Sequence, residues 1–223
     1  MSPEIALLNA TSHAYKLEQG RISRRRLYPV TAFYTAYTVL MITLGLRSAH
    51  PVIAVVSYFL GIPVWSLVEY LFHRYVLHGR FKISDKPHKK LITTFANKVL
   101  DPLHWEHHER PNDGKHINGV LKDLLPLFAV AVPLSFIFPL YTTPMLLAGV
   151  CQSYVAEEWI HHAIHFFNFK NRYFKYVKRH HLYHHSAKGI ERGFGITNGV
   201  WDVFFRSRFN DPPRTLFQFR RIP

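Results

Sequence analysis

The sequence is poor in cysteine and in acidic residues. Its single cysteine, Cys151, cannot form an internal disulfide, and its place in an apolar run is typical of a small buried side chain. The 14 acidic residues are outnumbered by 28 lysines and arginines, so the formal net charge is +14. Such an excess predicts contact with an anionic surface, either nucleic acid or membrane lipid.

Charge is also missing from long stretches of the chain. Residues 28–46 contain no charged side chain, and residues 52–72 contain only Glu69. A helix rises about 1.5 Å per residue, so each run can cross a hydrocarbon core of about 30 Å. The first run is too long for a signal peptide and lacks a cleavage site. These runs favour retained membrane spans over buried helices of a soluble bundle.

A second pair of apolar runs follows. Residues 124–140 form the third run, which three prolines should kink, and the fourth extends from the turn at 142–144 to about His165. Short links join the runs within each pair. The sequence therefore predicts an all-α integral membrane fold with four transmembrane helices in two hairpins, and a cytoplasmic helical cap that carries the histidine motifs.

The distribution of basic residues predicts the orientation. Lysine and arginine number five in residues 1–27, nine in 73–119 and twelve in 166–223, whereas the two turns inside the hairpins contain only Arg47. Cytoplasmic loops carry such an excess. We therefore expect a multi-pass protein with both termini and every histidine motif on the cytoplasmic side. Anionic lipid then explains the basic charge, and no nucleic-acid module is recognisable.

The chain is expected to form a single domain, 1–223, with a weak internal repeat of hairpin followed by histidine cluster. The lead, residues 1–27, should lie at the membrane surface or be partly disordered. The first hairpin is 28–72 and the first histidine cluster is 73–119. The second hairpin is 120–165, and the second cluster with the C-terminal region is 166–223.

Ten of the sixteen histidines form motifs with short, regular spacings, five in or after each hairpin. Close imidazoles cannot all be protonated, and buried neutral ones need partners, so a metal is the simplest explanation. Ten nitrogens exceed the four ligands of a structural zinc site, which favours two metal ions, although imidazole alone does not choose among Fe, Cu, Ni and Zn. The candidate ligands are His73, His78, His104, His107, His108, His161, His165, His181, His184 and His185.

Two details of these clusters stay open at this point. His73 and His78 are five residues apart, about 140° around a helix, so they either bracket a helix end or serve different metals. Carboxylates commonly orient the second ring nitrogen of a histidine ligand. Glu69 and Glu158 stand about one turn before a histidine, and together with Asp202 they are the candidates for this role.

The order of the motifs HRYVLH, HWEHH, HHAIH and HLYHH resembles the fatty acid hydroxylase and sterol desaturase superfamily of membrane di-iron enzymes. The resemblance spans roughly Glu69 to Phe205. The segment GFGITNGVWD, residues 193–202, is similar to the fatty acid 2-hydroxylase branch. In this family the motif histidines hold two irons at the cytoplasmic face of a four-helix membrane domain, so the resemblance implies that role for the ten histidines.

The resemblance further implies an O2-dependent monooxygenase that hydroxylates a C–H bond of a fatty acyl or related lipid. No heme domain precedes the spans, so electrons are expected from an external donor such as cytochrome b5 or ferredoxin. The basic residues Lys175, Lys178, Arg179, Arg206 and Arg208 could dock that donor or contact lipid headgroups. Candidates to line an acyl groove are Trp105, Tyr183, Phe194 and Trp201.

Other functions remain open from the sequence. A lipid or sterol desaturase and a carotenoid hydroxylase belong to the same superfamily and begin with the same C–H cleavage. A histidine-rich metal transporter is an alternative from another class. It would place ionisable residues midway through the spans, whereas here they lie near the span ends.

Overall fold

A computed structural model describes residues 3–209, and this part of the chain is all helical, as predicted. This part includes two short π-helical segments. Phe72–Leu77 follows the second α-helix, and Ala96–Leu100 joins the third α-helix to the fourth. The α-helices of the described part are α1 (Pro3–Leu46), α2 (Pro51–Leu71), α3 (Pro87–Phe95), α4 (Asp101–Glu109), α5 (Leu121–Ser135), α6 (Thr143–Phe166), α7 (Arg172–His184) and α8 (Val200–Phe204).

Local sequence explains several helix starts. Proline occupies the first turn of α2, α3, α4 and α6, where its missing N–H costs no hydrogen bond. The Asn171 side chain caps α7 by accepting the backbone N–H of Tyr173 at 2.8 Å. These local signals fix the residues at which the helices begin.

The N-terminal lead differs from the expectation. From Pro3 it is helical and continues through Pro29 to Leu46 without a break, so residues 3–27 extend the helix of the first apolar run, and the predicted surface location of this lead stays a prediction. In the described residues, two helices are long and apolar enough to cross a membrane, Thr11–Leu46 and Pro51–Leu77. The third apolar run gives a shorter helix than predicted, because α5 ends at Ser135 shortly after Pro133.

Helix α6 is the centre of the packing. It packs against both α2 and α1, and the core beside it includes Val30, Tyr34 and Val155. Two glycines bring α2 and α6 into backbone contact: a methyl group on Gly149 would overlap the Tyr58 carbonyl, and one on Gly61 would lie 2.6 Å from the Leu146 carbonyl oxygen. This close crossing fixes the C-terminal ends of α2 and α6, from which the site is built.

Candidate metal centre

The ten predicted histidines converge into two groups of five. Within each group, one nitrogen of every ring lies within 4.8 Å of the corresponding nitrogen of every other ring. We name the groups site A and site B. Site A consists of His73, His78, His104, His108 and His184, and site B of His107, His161, His165, His181 and His185.

The groups do not follow the two sequence clusters. On α4, His104 and His108 join site A, whereas the intervening His107 joins site B. On a helix, residues four apart diverge by about 40°, whereas neighbours diverge by about 100°. The trio on α7 splits by the same rule, with His184 crossing to site A and the outer pair going to site B. Each HxxHH motif therefore serves both sites.

The spacing of His73 and His78 is resolved by backbone conformation. Residues 72–77 form a π-helix, and the backbone N–H of His78 donates to the His73 carbonyl at 3.1 Å. This i to i+5 bond adds one residue to the turn, so residues five apart face the same side. Both histidines consequently belong to site A, and their side-chain nitrogens serve one site rather than two.

Burial keeps the site A imidazoles neutral. Loss of hydration and the neighbouring His184 lower the pKa of His78 to about 3 and of His108 to about 2. Burial also lowers the pKa of His184 to about 4, although the Arg192 carbonyl partly opposes the shift. Neutral rings offer a lone pair at neutral pH, which is the form that binds a cation.

Backbone carbonyls orient two site A rings. The Phe194 carbonyl is the partner of His73 Nδ1, and the Arg192 carbonyl lies 2.8 Å from His184 Nδ1. With Nδ1 used in this way, His73 Nε2 is buried without a hydrogen-bond partner among residues 3–209. Its lone pair faces the other site A nitrogens, an arrangement that suits a metal ion.

The three candidate carboxylates have other partners. None of them forms a hydrogen bond to one of the ten histidines in the described part of the chain, so the prediction that they orient those rings directly is wrong. The Glu69 carboxylate accepts the backbone N–H of Ile196 at 2.7 Å, and the N–H and hydroxyl of Thr197 at 3.1 and 2.7 Å. Glu69 thereby ties α2 to the segment that follows Phe194.

Asp202 acts on the same segment from α8. It accepts the backbone N–H groups of Phe194 and Gly195 at 2.9 and 3.0 Å, and the Ser207 hydroxyl at 2.7 Å. Burial would raise its pKa, but hydrogen bonds from His180 and Ser207 hold the pKa below its usual range. The ionised carboxylate therefore fixes the Phe194 peptide, whose carbonyl contacts His73. It supports site A through the backbone.

Glu158 belongs to a buried network beside site B. It accepts the Asn118 amide at 2.8 Å, and the Asn118 carbonyl oxygen accepts the Ser23 hydroxyl. The Ser23 oxygen also lies 2.7 Å from Nδ1 of His162, a histidine outside both sites. The network links α1, α6 and the segment before α5. The sequence carried no signal that Ser23, which stands among basic residues of α1, would be buried and hydrogen-bonded in this network.

One cavity of about 610 Å³ lies between α2, α6 and the segment 197–201. Its surface is mainly apolar, and among its polar groups is the buried Glu157, which accepts the Trp65 indole N–H at 3.2 Å. Ile160, the residue before His161, forms part of the wall. The volume falls within the range of about 300–1,000 Å³ that is usual for ligand pockets.

Of the four aromatic candidates for a groove, Trp201 lines this cavity. Phe194 packs on site A instead, with its ring centroid 5.1 Å from that of His78. Trp105 lies against the same histidine at 5.2 Å, under the Arg80 guanidinium at 3.9 Å. Tyr183 contacts Phe209. These three residues lie outside the lining of this cavity, and their role beside the substrate stays a prediction.

Comparisons with known proteins agree with this architecture. The family model for fatty acid hydroxylase matches residues 55–207. The dihydroceramide fatty acyl 2-hydroxylase FAH2 of Arabidopsis thaliana is 30% identical over 174 residues, which is 75% of this chain and 66% of the relative. The fatty acid 2-hydroxylase of Rattus norvegicus is 33% identical over 152 residues, 66% of this chain and 38% of that protein.

A solved structure of full-length scs7p, in which only the hydroxylase domain is visible, has a TM-score of 0.70 and 25% identity over 85% of this chain and 70% of that one. The chain thus spans just under two thirds of the Arabidopsis relative and well under half of the rat one. The matched region contains all ten clustered histidines and the 193–202 segment. The chain belongs to the fatty acid hydroxylase family, and its relatives support the 2-hydroxylase branch.

Proposed function

We propose that this protein is a membrane-bound di-iron monooxygenase that hydroxylates a C–H bond of a fatty acyl lipid. The observation that carries the proposal is the convergence of ten histidines into sites A and B. Five nitrogen donors per site exceed the four ligands of a tetrahedral zinc site. The buried Nε2 of His73, which has no hydrogen-bond partner among residues 3–209, is suited to bind a metal ion. Iron is proposed from the family to which the chain belongs.

The five histidines of site A would hold one iron and those of site B the other. Bound there, the iron pair would supply O2 activation, so that R–H, O2, two electrons and two protons give R–OH and water. The chain's own residues keep the rings neutral and oriented. The Phe194 and Arg192 carbonyls fix two rings, and the Phe194 ring packs over site A, where it excludes water.

The lipid would enter from the bilayer, and the cavity between α2 and α6 is the proposed route. Many apolar side chains of α2 and α5 are exposed, among them Val52, Phe59, Leu127 and Val130. Such surfaces suit contact with lipid tails. They support the proposed topology of four spans in two hairpins, with both termini and the two sites on the cytoplasmic side, which the basic residues of the loops also favour.

Electrons are proposed to come from an external donor such as cytochrome b5 or ferredoxin. Lys175, Arg206 and Arg208 are exposed and could contact an acidic protein. Lys178 does not belong to this surface, because it is buried and donates to the Phe167 carbonyl at 2.5 Å. The docking surface is therefore smaller than the sequence predicts.

The reaction can be tested by lipid analysis of a host that expresses the protein. A lipid with one added oxygen should appear with the unmodified chain and disappear with His184→Ala, which removes a site A nitrogen. His13→Ala, an exposed histidine on α1, is the matched control and should keep the product. Loss of two hydrogens instead of gain of oxygen would identify a desaturase, and an unchanged lipid profile under adequate O2 and reductant would contradict both activities.

A further inference from the structure

Helix α3 points its apolar side chains away from the protein. Leu91, Ile92 and Phe95 are 82%, 71% and 56% exposed, and no residue of the helix is buried. At about 100° per residue these three share one stripe. Thr93 lies on the opposite side, is half-buried, and accepts the backbone N–H of Ser84 at 2.9 Å. A helix on the surface of a soluble protein shows the reverse arrangement.

The surroundings of this stripe are basic. Lys86, Lys89 and Lys90 are exposed at the start of α3, and the helix contains no acidic residue. Between residues 80 and 98 there are six lysines and arginines against one acidic residue, Asp85. An apolar stripe flanked by lysines matches an anionic lipid surface, where tails and phosphates lie side by side.

The position of α3 along the chain also agrees with contact with an anionic lipid surface. Pro87 follows Leu77, the last residue of the second membrane-length helix, by ten residues. The C-terminal end of α3 is held close to that connection, since the amide of Asn97, two residues beyond the helix, donates to the Phe81 carbonyl at 2.7 Å. α3 is thus tethered close to the point where the chain leaves its second span.

We propose that α3 lies in the headgroup region of an anionic bilayer leaflet, with its apolar stripe among the acyl chains and its lysines at lipid phosphates. The π-helical segment 96–100 joins α3 directly to α4, which supplies His104 and His108 to site A and His107 to site B. Lipid contact therefore supports the helix that bridges the two sites. This inference rests on the proposed membrane location and is independent of the proposed reaction.

Spin-label accessibility tests the placement. A nitroxide is attached at Leu91→Cys or, as the matched control one residue away, at Lys90→Cys, in the full chain with Cys151→Ala. The protein is placed in nanodiscs of phosphatidylcholine, with or without phosphatidylglycerol. The label at 91 should be more accessible to O2 than to a water-soluble nickel chelate, and the label at 90 should show the opposite. Equal nickel accessibility at both positions in both bilayers would overturn the proposal.

The role of lipid charge is tested by a second set of variants. Adding phosphatidylglycerol should move the label at 91 deeper, and this shift should vanish when Lys86, Lys89 and Lys90 are changed to glutamine. It should persist when they are changed to arginine, which keeps the charge. A shift that is the same in all three backgrounds would overturn anionic-lipid binding. Protection of the label only after an acidic redox protein is added would also overturn it, and would assign the surface to a protein.

Discussion

The backbone N–H of His78 donates to the carbonyl of His73 at 3.1 Å and closes a π-helical turn. This single bond converts a five-residue spacing, which an α-helix would spread over about 140°, into two rings that face one site. Insertions of this kind in α-helices are frequent at functional sites. The relationship explains why the first motif is HxxxxH whereas α6 carries HxxxH.

The division into sites A and B predicts which double variants lose which metal. His184→Ala with His78→Ala removes two donors from site A, so the purified protein should keep about one metal ion per chain, because site B retains its five donors. His184→Ala with the adjacent His185→Ala removes one donor from each site and should lower occupancy at both. Chelator competition followed by metal analysis of anaerobically purified protein measures the difference, because one ion should resist the chelator in the first variant and neither ion should resist it in the second. Equal loss in both double variants would contradict the division.

Asp202→Asn should weaken site A through the backbone. The change removes the charge that holds the Phe194 and Gly195 N–H groups, so the carbonyl that contacts His73 loses its fixed position. Loss of such support typically lowers metal affinity by about 10–100-fold. Competition with a chelator, followed by metal analysis, measures the change. Asp113→Asn, in the segment between α4 and α5, should leave the affinity unchanged, and equal effects of the two variants would refute this role.

Filling the cavity should slow lipid turnover without removing metal. Ala156 lines the cavity from α6, and Ala156→Trp would place an indole in the space proposed for the lipid. We expect KM for the lipid to rise while metal content stays near that of the unmodified chain. Ala129→Trp on exposed α5 is the control for adding the same side chain to an apolar surface. Unchanged lipid kinetics in Ala156→Trp would argue against this route.

The close contact of α2 with α6 predicts that replacing a glycine in the contact lowers the stability of the protein. Gly149→Val places methyl groups where the Tyr58 carbonyl lies, and overpacking of this kind costs about 1–3 kcal/mol or more. Thermal unfolding in detergent should shift to a lower temperature, with loss of metal, because the π-helical segment that continues α2 supplies His73 to site A and α6 supplies His161 and His165 to site B. Gly20→Ala is the control, since its nearest neighbour is the Phe166 side chain at 3.3 Å. Similar stability of both variants would contradict the close crossing.

Much of the helical architecture was readable from the sequence. The boundaries of α2 and α6 follow from mainly apolar runs that begin near proline, because these signals act within a few residues of the chain. α5 and the N-terminal lead were less predictable. A proline can end a helix or be tolerated in it, and the apolar pattern of the third run does not say which. The lead carried no strong pattern, although it continues α1.

The sequence by itself determined which ten histidines form the motifs and which of them are neighbours within a motif, because residues on one helix turn are close in any fold that keeps the helix. Only the tertiary structure decided that His107 and His184 each leave their own cluster for the other site. It also decided that carbonyls of residues 192 and 194, rather than Glu69, Glu158 or Asp202, contact the rings. The physical reason is distance along the chain: His73 and Phe194 are 121 residues apart, and only the packing of α2, α6 and α7 brings them together.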